Sequence, residues 1–203
     1  MSAKFVSDAP TLGPGAVMIV ALDRGLSAIE RPAAVLSAFV LFGMMLIVAV
    51  DVAMRYVFND PFAWSHDVIS LYLLPAVFYL ALSRTFDIHG HIGVDILQYS
   101  LSDRWRRLCQ IAIGLLGAGL FVLIAWLGFE RTVEEYADGS AISGLIEWST
   151  WISVAFVPLG SLLISVRLVI YALLHAIALI FDERIVELPP LAGSEESLLE
   201  AEA

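Results

Sequence analysis

Charge is scarce in this sequence. Only 16% of its 203 residues are Asp, Glu, Lys or Arg, while 60% are hydrophobic, and the mean hydropathy is +0.86. A soluble domain carries about 25% charged residues, so this chain has too little charge to cover a water-facing surface. Cysteine is nearly absent too. Cys109 alone excludes an internal disulfide framework and any C-x-x-C redox or zinc site. Basic residues number 11 against 21 acids, for a formal net charge of -10, which excludes a nucleic-acid binder that must neutralise phosphates. The sequence also lacks a P-loop, a Gly-x-Ser-x-Gly nucleophile motif and any internal repeat, which speaks against nucleotide hydrolysis, serine catalysis and a complete transporter of paired halves. Disorder is excluded for most of the length by the apolar content. What remains is an integral membrane protein.

Four runs contain no charged residue: Ala33 to Val50, Val68 to Ser83, Leu108 to Phe129 and Trp148 to Val166. A helix needs about 20 mostly apolar residues to cross a hydrocarbon core. The third run meets this alone, and the second draws on its flank, where Asp60 is expected to cap a helix and Pro61 to fill its first turn. The runs are continuously apolar rather than alternating, which excludes a β-barrel. The fold class is therefore all-α, with four transmembrane helices. The first run is read as an uncleaved span rather than a signal peptide.

Lys4, Arg24, Arg31, Arg84, Arg104, Arg106, Arg107 and Arg184 fall in the two tails and the second loop, whereas the first and third loops hold only Arg55 and Arg131. Cytoplasmic segments carry the Lys/Arg excess, so both termini are expected in the cytoplasm. Trp64, Trp126, Trp148 and Trp151 then fall near the outer ends of spans, and Trp105 near an inner one.

Three regions follow. Residues 1–32 form a cytoplasmic N-terminal region, residues 33–181 the four-helix membrane domain, and residues 182–203 an acidic tail read as solvated. Met18, Leu22, Leu26 and Ile29 recur at helical spacing with Asp23, Arg24, Ser27 and Glu30 on the other side, the pattern of an interfacial amphipathic helix that bends at Pro32 into the first span. The alternative is an inward extension of that span. A second interfacial helix is expected after Gly90, with Ser102 capping the third span. Asp138-Gly139 signals a turn in the third loop.

Ionisable groups inside spans are functional candidates by default, and these spans are nearly free of them. Arg167 is read as lying near the inner interface, where its stem can snorkel. His66, His89, His91 and His175 invite a haem or metal hypothesis, but no two are placed as facing ligands. No catalytic constellation and no cofactor site emerge.

The stretch Arg55 to Asp67, RYVFNDPFAWSHD, followed by an apolar span, Arg84 and HIGVDIL from His91 to Leu97, resembles the DctQ-like small permease subunit of TRAP (tripartite ATP-independent periplasmic) transporters. The last span resembles that subunit's final helix, with Ser143, Leu145, Trp148 and VPLGSLLISVRL from Val157 to Leu168. The family often has Glu at the position of Asp67 and Pro at that of Glu147. The resemblance implies a non-catalytic scaffold in the bacterial inner membrane. Its partners would be a large many-span permease, driven by sodium, and a periplasmic protein that captures an organic acid; membrane lipid completes its surroundings. Arg55, Trp64, Asp67, Arg84, His91, Asp95, Trp148, Pro158, Gly160 and Arg167 are the candidates for fold-holding or partner contact. Arg55 and Asp67 are expected to pair across the outer hairpin, and Arg84, His91 and Asp95 to tie the second interfacial helix to its span. Gly114, Gly117 and Gly119 are expected to allow close helix approach. A membrane redox subunit and a stand-alone small carrier are the competing readings.

Overall fold

The computed structural model describes residues 14–87, 102–142 and 147–180. Four long helices carry it. Helix α1 is Pro14–Ala53, extended by a π-helical turn at Met54–Phe58. Helix α2 is Ser65–Asp87, α3 is Asp103–Ala137 and α4 is Thr150–Ile180. All four are long and apolar enough to cross a membrane. A two-residue strand β1, Ala141–Ile142, pairs antiparallel with β2, Trp148–Ser149, so the connection between α3 and α4 adds a small β-ladder to the helices. The second interfacial helix expected after Gly90 and the C-terminal tail lie outside the described residues.

The helices form two antiparallel hairpins. Ser37 Oγ donates to the Val77 carbonyl at 2.8 Å, joining α1 to α2. Tyr171 Oη donates to Gln110 Oε1 at 3.1 Å, joining α4 to α3. Between the hairpins α2 and α4 run parallel, and their contacts keep one register: Leu71 meets Ser153, Tyr79 meets Gly160, and Asp87 meets Arg167. Helix α4 is the most enclosed, with half of its most apolar window buried against 6% for α1. Leu82, Ala118, Ile164 and Leu168 form the core, flanked by Tyr79, Phe86 and Phe121.

Backbone chemistry explains the closest approaches. A Cβ on Gly160 would lie 2.5 Å from the Tyr79 carbonyl oxygen, so only glycine lets α2 and α4 touch there. Gly114 and Gly117 face α4 at Ala172 and Leu168, whereas Gly119 faces open space, so only two of the three glycines expected to bring helices together do so. Pro75 in α2 has no N–H to give the carbonyl four residues earlier, that of Leu71. A π-helical turn at Ile69–Leu73 absorbs the defect, and Ser153 Oγ of α4 donates to the Leu71 carbonyl instead. Substitution by a neighbouring hydroxyl is how a proline is tolerated in a membrane helix.

Three local expectations need correction. Helix α1 is not interrupted at Pro32, so the residues before it extend the same helix rather than forming a separate one. Asp60 does not cap α2: the helix starts at Ser65 after a turn, because Asn59 takes a left-handed conformation (φ 55°) and ends the preceding helix. Asn tolerates that conformation better than most residues. Ser102 sits extended at the start of α3, but its side chain makes no capping bond.

Candidate functional site

Asp23, Ser27 and Glu30 stand at i, i+4 and i+7 on α1, a spacing that puts them on one face. They do not face water. Together with Ser83 and Asp87 of α2 they surround Arg167 of α4, and all six residues are buried. Arg167 is 3% exposed and Glu30 0%. Arg167 Nε donates to Glu30 Oε1 at 2.9 Å, and Nη2 donates to Glu30 Oε2 and to Ser27 Oγ, the latter at 3.0 Å. Nη1 reaches Asp23 Oδ1 at 2.5 Å and Asp87 Oδ1 at 3.1 Å. Ser83 Oγ donates to Glu30 Oε1 at 2.5 Å, and Arg84 pairs with Asp87.

All three nitrogens of the guanidinium thus donate hydrogen bonds, four in total, and Asp87 adds an ion pair at Nη1. A buried charge is costly unless paired and hydrogen-bonded, and this arrangement meets that condition by drawing on three helices at once. The snorkelling expected of Arg167 is therefore corrected. Bonded to α1 and paired with Asp87 of α2, it holds α1, α2 and α4 together.

At the opposite end a second set of polar contacts ties the loops. Arg55 pairs with Asp51 at 3.4 Å rather than with Asp67, because the two lie one helical turn apart on α1. Asp51 also accepts the Phe62 backbone N–H at 2.8 Å, closing the α1–α2 reversal, where Trp64 stacks on Phe62 with ring centroids 5.5 Å apart. Asp67 is half-buried in the first turn of α2. Tyr72 Oη donates to the Ser149 carbonyl at 2.6 Å, and its ring meets Trp148. Thr150 Oγ1 donates to Glu135 Oε2 at 2.5 Å, while Glu135 also pairs with Arg131 at 2.7 Å. Gly139, with φ +60°, makes the expected turn. Pro158 packs beside Gly128.

Between the two ends, α2 and α4 leave an open apolar groove of about 440 Å³, lined by Leu74, Pro75, Phe78, Tyr79, Ser153, Val154 and Val157. Its serine is committed to the Leu71 carbonyl. His66 lies exposed at the start of α2, and His175 is buried beside Tyr171 near the far end of α4, so these two histidines cannot share a ligand. His91 and Asp95 lie outside the described residues.

The pattern of the family "Tripartite ATP-independent periplasmic transporters, DctQ component" matches residues 44–179. The chain belongs to the DctQ family. It is thus the small membrane component of a TRAP transporter, a multi-pass chain by its four apolar helices. No curated protein and no solved structure matches it. The DctQ match contains Asp87 and Arg167 but begins after Asp23 and Glu30, so the charge cluster joins the family segment to the helix ahead of it.

Sequence reasoning singled out Arg167 and Arg84 but missed their partners Asp23, Ser27, Glu30, Ser83 and Asp87. The signal was present: a polar stripe on an otherwise apolar helix, and an arginine inside another. It was assigned to water because a single sequence does not say which helix turns towards which.

Proposed function

We propose that this DctQ chain is the rigid, non-catalytic scaffold of a sodium-driven, binding-protein-dependent uptake system for an organic acid, with both termini in the cytoplasm of the inner membrane. The observation that carries the proposal is the buried Arg167 cluster. It locks three helices and commits every guanidinium nitrogen and the charge itself to three buried carboxylates inside the bundle. The groove between α2 and α4 supports the same reading, since polar specificity groups are what a site for a charged solute needs.

In this reading the large many-span permease moves solute against the fixed four-helix body, and the body's exposed apolar faces meet that subunit and lipid. The end bearing Asn59 and Gly139 faces the periplasm, where exposed Glu130, Glu134 and Asp138 meet the arriving binding protein. The test is uptake in a strain lacking this chain. The large subunit and binding protein together should then fail to accumulate substrate, and the full-length chain should restore it. Normal sodium-driven uptake without the chain would overturn the reading.

A further inference from the structure

The N-terminal half of α1 repeats a three-residue pattern at a spacing of seven: Leu22-Asp23-Arg24 and Ile29-Glu30-Arg31. Seven residues are close to two helical turns, so the repeat draws three parallel stripes. The middle stripe, Asp23 and Glu30, is consumed by Arg167. That contact fixes the rotation of α1 and turns the two flanking stripes outward. Leu22 and Ile29 are exposed on one side, and Arg24 and Arg31 on the other.

Each of these arginines directly follows an acid, yet neighbours on a helix point about 100° apart and do not face each other. Among the described residues Arg24 and Arg31 have no acidic partner, whereas Arg55, Arg84, Arg131 and Arg167 all do. Their depth matters as well. The charge-free run of α1 begins at Ala33, so Arg31 sits about 3 Å and Arg24 about 13 Å before it along the axis. Headgroup layers add roughly 5–8 Å to each side of the hydrocarbon core. The two guanidiniums therefore bracket a headgroup layer, and the exposed side chains between them on that flank are small: Gly25 and Ala28.

We infer that Arg24 and Arg31 form a binding rung for the phosphate of an anionic phospholipid. Guanidinium pairs with phosphate through two parallel hydrogen bonds, and basic clusters beside membrane helices select acidic headgroups. The inference rests on the membrane-spanning bundle and the rotation of α1, not on the scaffold role, so either can fail without the other.

The experiment uses the full-length chain purified in detergent and offered phosphatidylglycerol and phosphatidylcholine in equal amounts, with bound lipid counted by native mass spectrometry. Wild type should retain the anionic lipid with a preference of roughly thirtyfold, from about fivefold per arginine. R24Q/R31Q should bring that preference near parity, and R24K/R31K, which keeps the charge without the planar fork, should retain part of it. Equal retention by wild type, or an unchanged preference in R24Q/R31Q, overturns the proposal. So does displacement of the lipid by millimolar inorganic phosphate, which would mark a free-anion site. Loss of the large subunit from R24Q/R31Q with lipid preference intact would assign the rung to a protein partner and overturn it as well.

Discussion

Arg167 and Glu30 stand 137 positions apart in the chain and meet in a two-pronged contact, Nε to Oε1 and Nη2 to Oε2, with both side chains buried. This geometry makes the guanidinium plane, and not only its charge, the element that fixes α1 against α4. It has measurable consequences.

Arg167→Ala leaves Asp23, Glu30 and Asp87 buried without their shared cation. Breaking a buried ion pair from one side costs about 3–5 kcal/mol, so the variant should unfold at a markedly lower temperature in detergent. Arg167→Lys should recover only part of the loss, because an ammonium offers three donors where a guanidinium offers five. A double-mutant cycle with Glu30→Ala should give a coupling of at least about 1 kcal/mol; additive effects would show that the two residues act independently.

Gly160→Ala forces a methyl group onto the Tyr79 backbone, where the new Cβ would be 2.5 Å from a carbonyl oxygen. Backbone cannot move aside as a flexible side chain can, so α2 and α4 must part, at about 1–3 kcal/mol. Gly119→Ala meets nothing within 4 Å and should change stability by less than about 0.5 kcal/mol. Thermal unfolding of the pair checks the contrast.

Ser153→Ala removes the donor that replaces the missing Pro75 N–H at the Leu71 carbonyl. Losing the hydrogen bond at this partly buried carbonyl costs about 1 kcal/mol. Hydrogen exchange around Ile69–Leu73 should accelerate in this variant, and Ser153→Thr should behave as wild type.

The acidic residues near Gly139 should separate into two groups. Glu134 and Asp138 are exposed, Glu134 only loosely paired with Arg131 at 3.5 Å, whereas Glu135 is held by Thr150 and, at 2.7 Å, by Arg131. Neutralising the first two should lower uptake at low salt and matter less at high salt, as screened steering does. Glu135→Gln should instead lower thermal stability. A salt-independent loss in the first variant would remove the electrostatic role.

Orientation is open to direct labelling. Cys109 is exposed, so it must first be replaced by alanine. A cysteine introduced at Ser140 should then react with a reagent that cannot cross the membrane, while one at Ser197 should react only after the membrane is opened. The reverse pattern would invert the topology proposed here.

The number of spans, the turn at Asp138-Gly139 and the family were legible in the sequence. Those features follow from runs of apolar residues and local backbone preference, which act over a few turns of one helix. The polar partners were less legible even locally. Asp51 outcompeted Asp67 for Arg55 because one helical turn brings the pair together, a preference that two nearby acids in a sequence do not reveal.

By itself, then, the sequence determined that four helices are long and apolar enough to cross a membrane and that acids and bases recur along the first of them. Tertiary structure alone decided which face of α1 turns inward. Rotation about a helix axis leaves hydropathy and length unchanged, so nothing local selects it. The selection comes from Arg167, a buried cation that requires acceptors and counter-charges from the helices around it. Once Asp23 and Glu30 answer that requirement, Arg24 and Arg31 have only the outside left to face.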